Sequence, residues 1–287
     1  MTVLVTGSRG RVGSALVRTL HERNFDVRAG SASPDKLAFP TDVETVSLRL
    51  DDPSGHAVAL DGVSAVFLYC EPAGIEAFIE QAEAGGVEHV VVMSADAVLR
   101  PGAEHDPIAR GHLLVERALA ESSLTTTPLN CGALASNALP WAWSLRARGA
   151  VALPYPDSYA DPVDERDVAE AAFAVLTDPA RRGRSYHLTG PEALSFAEQV
   201  RVIATAVGRD IPIERVPPEV WRANKPDFMP GDIADALLTL WAASTEPVPL
   251  THDVEHLVGR PARSFTEWAA CHVDTFRAWP QPGRRSS

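Results

Sequence analysis

Short apolar runs alternate with amphipathic segments along the first 128 residues of the chain. The runs are rich in β-branched residues, which favour extended strands. The segments between them place apolar side chains on one helical face, as at Val12, Leu16 and Leu20, so each segment can cover a sheet. This alternation predicts a parallel sheet flanked by helices. The predicted strands are residues 3–5, 26–29, 45–48, 65–68, 90–93 and 124–127.

The pattern changes in the second half of the chain. An amphipathic helix over residues 108–121 follows the fifth predicted strand, but past residue 130 proline and tryptophan become frequent and the alternation weakens. Later helices are marked by capping boxes, in which a serine caps the helix and a glutamate three residues on reaches back. These pairs are Ser195 with Glu198 and Ser264 with Glu267.

A glycine-rich turn joins the first predicted strand to the first predicted helix. Gly7 suits a tight turn, Gly10 lets the backbone approach a pyrophosphate, and Gly13 lets the helix lie close to the sheet. The start of the helix adds unpaired N–H groups and a positive dipole end. We therefore predict a dinucleotide site that includes the whole turn: Gly7, Ser8, Arg9, Gly10, Arg11, Val12 and Gly13.

The turn and the alternating pattern together define the predicted fold class. It is α/β, a Rossmann-type doubly wound parallel sheet with a smaller, mostly helical C-terminal region on the substrate side. We predict a dinucleotide-binding domain over residues 1–130 and a mixed α/β substrate-side region over residues 131–280, interleaved with the first. Residues 281–287 are predicted to be a tail.

Composition narrows the classes of partner. The chain has 26 Lys and Arg against 38 Asp and Glu, which argues against a nucleic-acid surface. No apolar stretch reaches the roughly 18 residues of a membrane span, and the chain starts without a basic leader. Its cysteines are widely spaced, and no histidine has the ligand spacing of a metal site. We predict a cytoplasmic protein without a metal, with a small-molecule substrate and a possible homodimer.

Several motifs resemble one family of proteins. The Gly-x-x-Gly-x-x-Gly turn is similar to that of extended and atypical short-chain dehydrogenase/reductases. The segments 60–68, 166–169, 186–195 and 259–261 resemble NmrA-like proteins, most closely the bacterial quinone-reductase and triphenylmethane-reductase type. The resemblance covers nearly the whole chain and implies NADPH-linked reduction of a small organic acceptor.

The choice of nicotinamide cofactor depends on the end of the second strand. No acidic residue stands there, and Arg28 and Ser31 follow, so NADP(H) is favoured over NAD(H). Two positions depart from the family pattern. Ala32 stands where a second arginine is common, so the clamp on the 2′-phosphate is incomplete. Arg49 stands where an adenine-binding aspartate is common, which implies that adenine is bound differently.

The catalytic residues of standard short-chain dehydrogenases are only partly present. Ser94 fits the serine position, but the helix that should carry a tyrosine and a lysine has neither, and His112 occupies the lysine position. A histidine there can bind the nicotinamide ribose or donate a proton. The alternative for His112 is an exposed or capped helix histidine without a functional role. The alternative for Ser94 is a simple hydrogen bond at the end of its strand. An electrophilic acceptor such as a quinone or a cationic dye needs no tyrosine, since solvent can supply the proton.

Other lining residues follow from topology, because ligands lie beyond the carboxyl ends of the strands. Tyr69 and Cys70 end the fourth strand and are predicted, with Ser94, to contact the cofactor. The family's Arg-Pro pair after the sixth strand is replaced by Leu129 and Asn130, which implies a changed substrate. Predicted substrate contacts, each with a core-packing alternative, are Asn137, Trp141, Trp143 and Tyr155.

Three functions remain open on the sequence alone. The first is an NAD(P)H-dependent reductase of a quinone, dye or enone-like molecule. The second is a regulator that senses NAD(P) without turning it over and acts through a protein partner. The third is a non-redox biosynthetic enzyme on the same fold, favoured only by the altered residues Ala32, Arg49 and Asn130.

Overall fold

The computed structural model describes residues 1–227 and 229–277. The strands are β1 (Thr2–Val5), β2 (Asp26–Ser31), β3 (Glu44–Ser47), β4 (Val63–Tyr69), β5 (His89–Ala95), β6 (Thr125–Cys131), β7 (Val151–Leu153), β8 (Tyr159–Ala160), β9 (Tyr186–Leu188), β10 (Leu194–Ser195) and β11 (Ile213–Arg215). The helices are α1 (Arg11–Glu22), α2 (His56–Leu60), α3 (Ile75–Ala84), α4 (Pro107–Ala120), α5 (Trp141–Arg148), α6 (Glu165–Thr177), α7 (Phe196–Val207), α8 (Pro218–Ala223), α9 (Gly231–Ala243), α10 (Asp253–Val258), α11 (Phe265–Cys271) and α12 (Val273–Arg277).

The chain divides into two compact units, each built from separate segments. Unit 1 contains Met1–Cys131, Glu165–Leu188 and His252–Pro261. Unit 2 contains Gly132–Asp164, Thr189–Thr251 and the described residues from Ala262 on. The tail predicted over residues 281–287 lies outside the described residues.

Unit 1 is built on a seven-stranded sheet in the order β3-β2-β1-β4-β5-β6-β9, with every neighbouring pair parallel. The strand order reverses direction between β1 and β4, which is where such sheets bind ligands. The predicted α/β fold class and all six predicted strands are confirmed. The sequence analysis missed β9, because three residues are too few to show a periodic pattern.

Helices cover the two faces of this sheet. Leu4, Val66 and Val90 of the strands pack with Phe78 of α3 and Val115 of α4 in one core cluster. Helices α1 and α6 lie against each other and against the strands on the other side. Burial of apolar strand residues on both faces explains why the strands read as continuous hydrophobic runs.

An arginine joins the last segment of unit 1 to α6. Arg260 donates through Nη2 to Asp167 Oδ1 and to Glu170 Oε2, each at 2.7 Å. The Asp167 side chain is fully buried, and removing one partner of a buried ion pair leaves an uncompensated charge. The ion pair therefore anchors residues 252–261 to α6.

Unit 2 has its own apolar core and two small two-stranded sheets. β7 pairs with β11 in parallel, and β8 pairs with β10 antiparallel. Trp268 lies at the centre of the core, stacked between Phe265 at 5.1 Å and His272 at 4.2 Å. Both predicted capping boxes are confirmed, with Ser195 starting α7 and Ser264 starting α11. No helix among the described residues is long and apolar enough to span a bilayer.

Candidate functional site

The glycine turn has the local geometry that its sequence predicts. Gly7 has a φ of 61°, a left-handed conformation that favours glycine, and its carbonyl accepts from Gly10 N–H at 2.8 Å. A Cβ at Gly13 would lie 2.6 Å from the Gly7 carbonyl oxygen, closer than any side chain can approach. The first turn of α1 is therefore held tightly against the end of β1.

The turn fits the pyrophosphate of a dinucleotide. The first N–H groups of a helix have no acceptor within the helix, and in α1 they open onto the turn. The first turn of α1 carries no acidic residue, and the basic side chains of Arg9 and Arg11 are exposed beside it. Backbone donors, the helix dipole and two cations together favour an anion there.

Hydrogen bonds fix the turn between two strand ends. The Ser8 N–H donates to the Gly30 carbonyl of β2 at 3.1 Å, and the buried Ser8 hydroxyl donates to the Val5 carbonyl at 2.6 Å. On the other side, Tyr69 N–H donates to Thr6 Oγ1 at 2.7 Å. Thr6, which the sequence analysis missed, links the ends of β1 and β4 through this bond. The signal that could have identified it is a hydroxyl residue directly before Gly7.

Arg28, a predicted cofactor contact at the end of the second strand, is bonded within the protein in this structure. Its Nη1 donates to the carbonyls of Ala59 at 2.9 Å and Asp61 at 2.7 Å, at the end of α2. Its Nε lies 2.8 Å from Glu44 Oε1. Only 12% of the side chain is exposed, so the guanidinium caps α2 and holds β3.

The residues that directly follow β2, Ala32 and Ser33, are small. Ser31 is buried and its hydroxyl accepts from Ser33 N–H at 3.1 Å. Because Ser8 is bonded to Gly30, the adjacent Arg9 lies next to this strand end. Arg49, at the position where the family commonly has an aspartate, forms a two-point ion pair with Asp51, with N···O distances of 3.0 and 2.6 Å.

A polar network joins three elements at the carboxyl edge of the sheet. Ser94 at the end of β5 donates its hydroxyl to Glu116 Oε1, and Asn130 Nδ2 of β6 donates to the same oxygen at 3.1 Å. Asn130 Oδ1 accepts from the Ser185 hydroxyl at 2.6 Å. Ser94 and Asn130 are 2% and 1% exposed, so both side chains are fixed. Glu116 and Ser185 were missed by the sequence analysis.

His112 lies one helical turn before Glu116 on the same face of α4. Burial lowers its pKa below the ordinary histidine value, so the imidazole is neutral at pH 7. Its Nδ1 is buried and has no hydrogen-bond partner among the described residues. In the sequence, the four-residue spacing between His112 and Glu116 is the signal that could have identified Glu116 as a site residue.

Cys70 follows β4 and faces the same helix. Its Sγ lies 3.9 Å from the Gly111 carbonyl oxygen. Burial, followed by the negative charges of Glu116 and Glu71, raises the pKa of this thiol to about 12. The neighbouring residue Tyr69 packs closely against Gly7, since a Cβ added at Gly7 would lie 3.0 Å from the Tyr69 Cβ. Tyr69 is nevertheless 54% exposed. The predicted cofactor contacts Tyr69, Cys70 and Ser94 thus share one edge.

The four predicted substrate residues all lie in unit 2. Asn137 is exposed in a short 3₁₀ turn, and Tyr155 is half-buried. Trp141 packs against the core of unit 2 and contacts Phe196 edge-on at 5.9 Å. Trp143 is 55% exposed, and two residues along a helix turn about 200°. Trp141 and Trp143 therefore do not face one pocket.

Metal chemistry finds no support in the described part of the chain. No group of three or more His, Cys, Asp or Glu side chains there is arranged to hold a metal ion.

Comparison with known proteins agrees with this geometry. A family model described as NAD(P)H-binding matches residues 7–179. The chain is 35% identical to (4-alkanoyl-5-oxo-2,5-dihydrofuran-3-yl)methyl phosphate reductase of Streptomyces griseus, covering 96% of this chain and 99% of that protein. It is 30% identical to an NAD(P)H azoreductase of Xenophilus azovorans, with the same coverage of 96% and 99%.

A solved structure shows the same fold. The NADPH-dependent quinone oxidoreductase of Escherichia coli, complexed with NADPH, superposes with a TM-score of 0.79 at 20% identity, covering 94% of this chain and 99% of that one. This likeness shows the fold, while the family model and the two relatives show the family. The chain belongs to the NAD(P)H-binding family and is an NAD(P)H-dependent oxidoreductase.

Proposed function

We propose that this protein reduces a small electrophilic organic molecule, a quinone, a dye or an enone-like compound, at the expense of NADPH. The observation that carries the proposal is the composition of the α4 face at the sheet edge. It has His112 at the lysine position, no tyrosine four residues before it, and Glu116 one turn further on, to which the Ser94 hydroxyl donates. A site without a strong acid suits an acceptor that needs none.

The chain's own residues have a limited task in this reaction. The bound cofactor supplies the hydride. The turn from Gly7 to Gly13 holds the pyrophosphate, and Tyr69 and Cys70 border the edge across which the second half of the dinucleotide extends. His112, neutral at pH 7, is a hydrogen-bond partner for the cofactor ribose. Solvent supplies the proton that completes the reduction.

The names of the relatives support an electrophilic acceptor. The Streptomyces relative is named for a dihydrofuran that bears 5-oxo and 4-alkanoyl groups, which is an alkene conjugated with two carbonyls. The Xenophilus relative is named for azo compounds, which also accept hydride at a polarised double bond. An enone-like acceptor is the class that agrees best with the higher identity.

The preference for NADPH rests on the basic side chains of the turn. With Arg28 engaged at the end of α2, the exposed cations of the glycine turn are Arg9 and Arg11, while Lys36 after β2 has the exposed acid Asp35 beside it. No carboxylate stands at Ser31 or Ser33 to repel a 2′-phosphate. We propose Arg9 as its main partner, because its neighbour Ser8 is bonded to Gly30.

The test combines binding and turnover. Calorimetric titration with NADPH, NADP, NADH and NAD should show tighter binding of the phosphorylated forms. NADPH oxidation should then be followed with a panel of quinones, azo dyes, triphenylmethane dyes and enones. Failure to reduce any of them refutes the reductase proposal. Binding of oxidised cofactor at least as tight as reduced cofactor, without turnover but with a specific protein partner in a pulldown, would support the sensing function instead.

A further inference from the structure

Arg49 belongs to a short segment that follows β3 and is held from two sides at the carboxyl edge of the sheet. On one side, the Leu48 N–H donates to the Ser31 carbonyl at the end of β2, at 3.0 Å. On the other side, the Leu50 carbonyl lies against Gly74, where an added Cβ would come within 1.9 Å of the carbonyl oxygen. The backbone around Arg49 is therefore fixed between the end of β2 and the loop after β4.

The side chain of Arg49 is fixed as well. Its guanidinium bonds to Asp51 at two points, Nε to Oδ1 and Nη2 to Oδ2, and two parallel hydrogen bonds set the plane of the group as well as its position. The hydrogen bond from Arg49 lowers the pKa of the Asp51 carboxyl, so the pair is charged at pH 7. The Arg49 side chain remains 57% exposed. A flat cation of fixed orientation is therefore open to a ligand.

The adenosine half of a dinucleotide belongs on this side of the sheet. In Rossmann-type sheets, the residue at the end of the second strand meets the adenosine ribose. In this chain β3 pairs with β2 in parallel, with Ser47 opposite Ser31, and neighbouring strands lie about 4.8 Å apart. The base attached to that ribose is therefore within reach of the residues that directly follow β3, among them Arg49.

The charge of the segment favours a flat neutral ring over a phosphate. Two carboxylates, Asp51 and Asp52, act on the one guanidinium of Arg49, so the segment has no excess positive charge for a 2′-phosphate. A guanidinium plane stacks on the π face of a nucleobase, and this contact does not depend on the exocyclic groups of the base. The segment therefore suits adenine.

We propose that the Arg49 guanidinium, held flat by Asp51, stacks on the adenine ring of the bound cofactor, in place of the hydrogen bond that an aspartate would make to the adenine amino group. The protein then recognises the base by its flat shape. This inference depends on cofactor binding, which the family membership shows, and not on the acceptor proposed above. Its failure would therefore leave the reductase proposal standing.

The first experiment compares two bases in the wild-type protein. The hypoxanthine analogue of NADP has a carbonyl where adenine has its amino group, and it keeps the flat ring. Calorimetry should give dissociation constants for NADP and this analogue that agree within about fivefold, because stacking uses the face of either base. A larger loss with the analogue would show that the amino group is recognised by a hydrogen bond and would overturn the proposal.

Variants then test the guanidinium. Arg49→Ala removes the stacking surface and should weaken NADPH and NADH by the same factor, about tenfold, because both contain adenine. Arg49→Lys keeps the charge without the plane and should lose nearly as much. Arg222→Ala is the matched control, since exposed Arg222 forms a two-point ion pair with Asp235 in unit 2. It should leave both affinities unchanged.

Three outcomes contradict the stacking role. A loss confined to NADPH in Arg49→Ala would assign Arg49 to the 2′-phosphate. Full affinity in Arg49→Lys or in Arg49→Ala, with folding checked by circular dichroism, would show that no stacking plane is needed. Reduced nicotinamide mononucleotide, which lacks adenine, should bind the wild type and Arg49→Ala equally. Weaker binding of this compound to the variant would show a disturbance of the whole cleft instead of a lost contact with adenine.

Discussion

The Ser94 hydroxyl donates its single hydrogen to Glu116, so this hydrogen is engaged within the protein at the sheet edge. The oxygen of Ser94 is left as an acceptor only. A serine in this state does not polarise a substrate carbonyl as the serine of a tyrosine-dependent reductase does.

Replacement of Ser94 by alanine should therefore have a small effect. We expect Ser94→Ala to lower kcat/KM for quinones by less than about tenfold, against the 10²- to 10⁴-fold typical of a lost proton donor. Steady-state kinetics with NADPH provide the measurement, and circular dichroism shows whether the variant folds. A loss of a hundredfold or more would mean that Ser94 turns its hydrogen toward the substrate.

The close approach at Gly13 makes a second prediction. Gly13→Ala places a methyl group 2.6 Å from the Gly7 carbonyl oxygen, which is backbone and cannot move aside cheaply. We expect a stability loss of about 1–3 kcal/mol and loss of NADPH binding, measured by chemical denaturation and calorimetry. Gly231→Ala is the control, since its methyl would meet only the Arg222 side chain at 3.5 Å.

Alanine substitutions at Arg28 and Arg9 should have separate effects, the first on stability and the second on the preference for NADPH over NADH. Arg28→Ala loses the bonds to the Ala59 and Asp61 carbonyls and the Glu44 ion pair, for a cost of about 2 kcal/mol, without changing the ratio of NADPH to NADH affinity. Arg9→Ala should do the opposite and lower that ratio. Thermal denaturation and calorimetry on both variants provide the measurements. A changed ratio in Arg28→Ala would return Arg28 to the cofactor site.

His89 should make stability dependent on pH. It is fully buried at the start of β5, its Nε2 lies 3.0 Å from Thr127 Oγ1, and burial and the nearby Arg182 lower its pKa to about 4. The unfolded chain takes up a proton near pH 6.5 and the folded chain does not. Stability contributed by this residue is therefore complete above pH 6.5 and falls as the pH drops toward 4, by about 3 kcal/mol in all.

Urea denaturation at a series of pH values measures this dependence. His89→Gln, a neutral residue of similar reach, should have a lower stability at neutral pH but a flatter profile between pH 6.5 and 4. An equally steep fall in the variant would assign the dependence to other groups, with His112 the next candidate because burial also lowers its pKa.

Cys70 should resist alkylation although it lies at the acceptor edge. Its pKa of about 12 leaves almost no thiolate at pH 8, and the thiolate is the reactive form. We expect iodoacetamide to modify Cys70 at least about a hundredfold more slowly than the exposed Cys271, as read by peptide mass spectrometry. Labelling of both at similar rates would contradict the assigned pKa. Slow alkylation suits a protein whose proposed acceptors are electrophiles that thiolates attack.

The sheet was predictable from sequence because its strands are buried on both faces and read as apolar runs. β9 was not predicted because three residues are too few to show a periodic pattern of apolar positions. The side-chain partners were less predictable, since they come from distant positions. Arg28 donates to the backbone carbonyls of Ala59 and Asp61, more than 30 residues away at the end of α2. Because every residue has a backbone carbonyl, the sequence does not show which one accepts.

The candidate site divides in the same way. The glycine turn is local, so its conformation follows from neighbouring residues. Glu116 lies among apolar residues of α4 and reads as part of an ordinary amphipathic helix, while its donors Ser94 and Asn130 are 22 and 14 residues away. Only the parallel pairing of β5 and β6 brings those donors together.

The anchoring of Arg260 on α6 has a consequence for how the gene can change. Unit 1 is completed by two late stretches, so a chain ending at residue 131 would lack α6 and the last strand of the sheet, and a chain ending at residue 251 would keep buried Asp167 without Arg260. The stretches 132–164 and 189–251 enter and leave unit 1 at fixed points. Residues 132–164 and 189–251 can therefore change in sequence and length, as insertions do, while the nucleotide-binding unit keeps its structure.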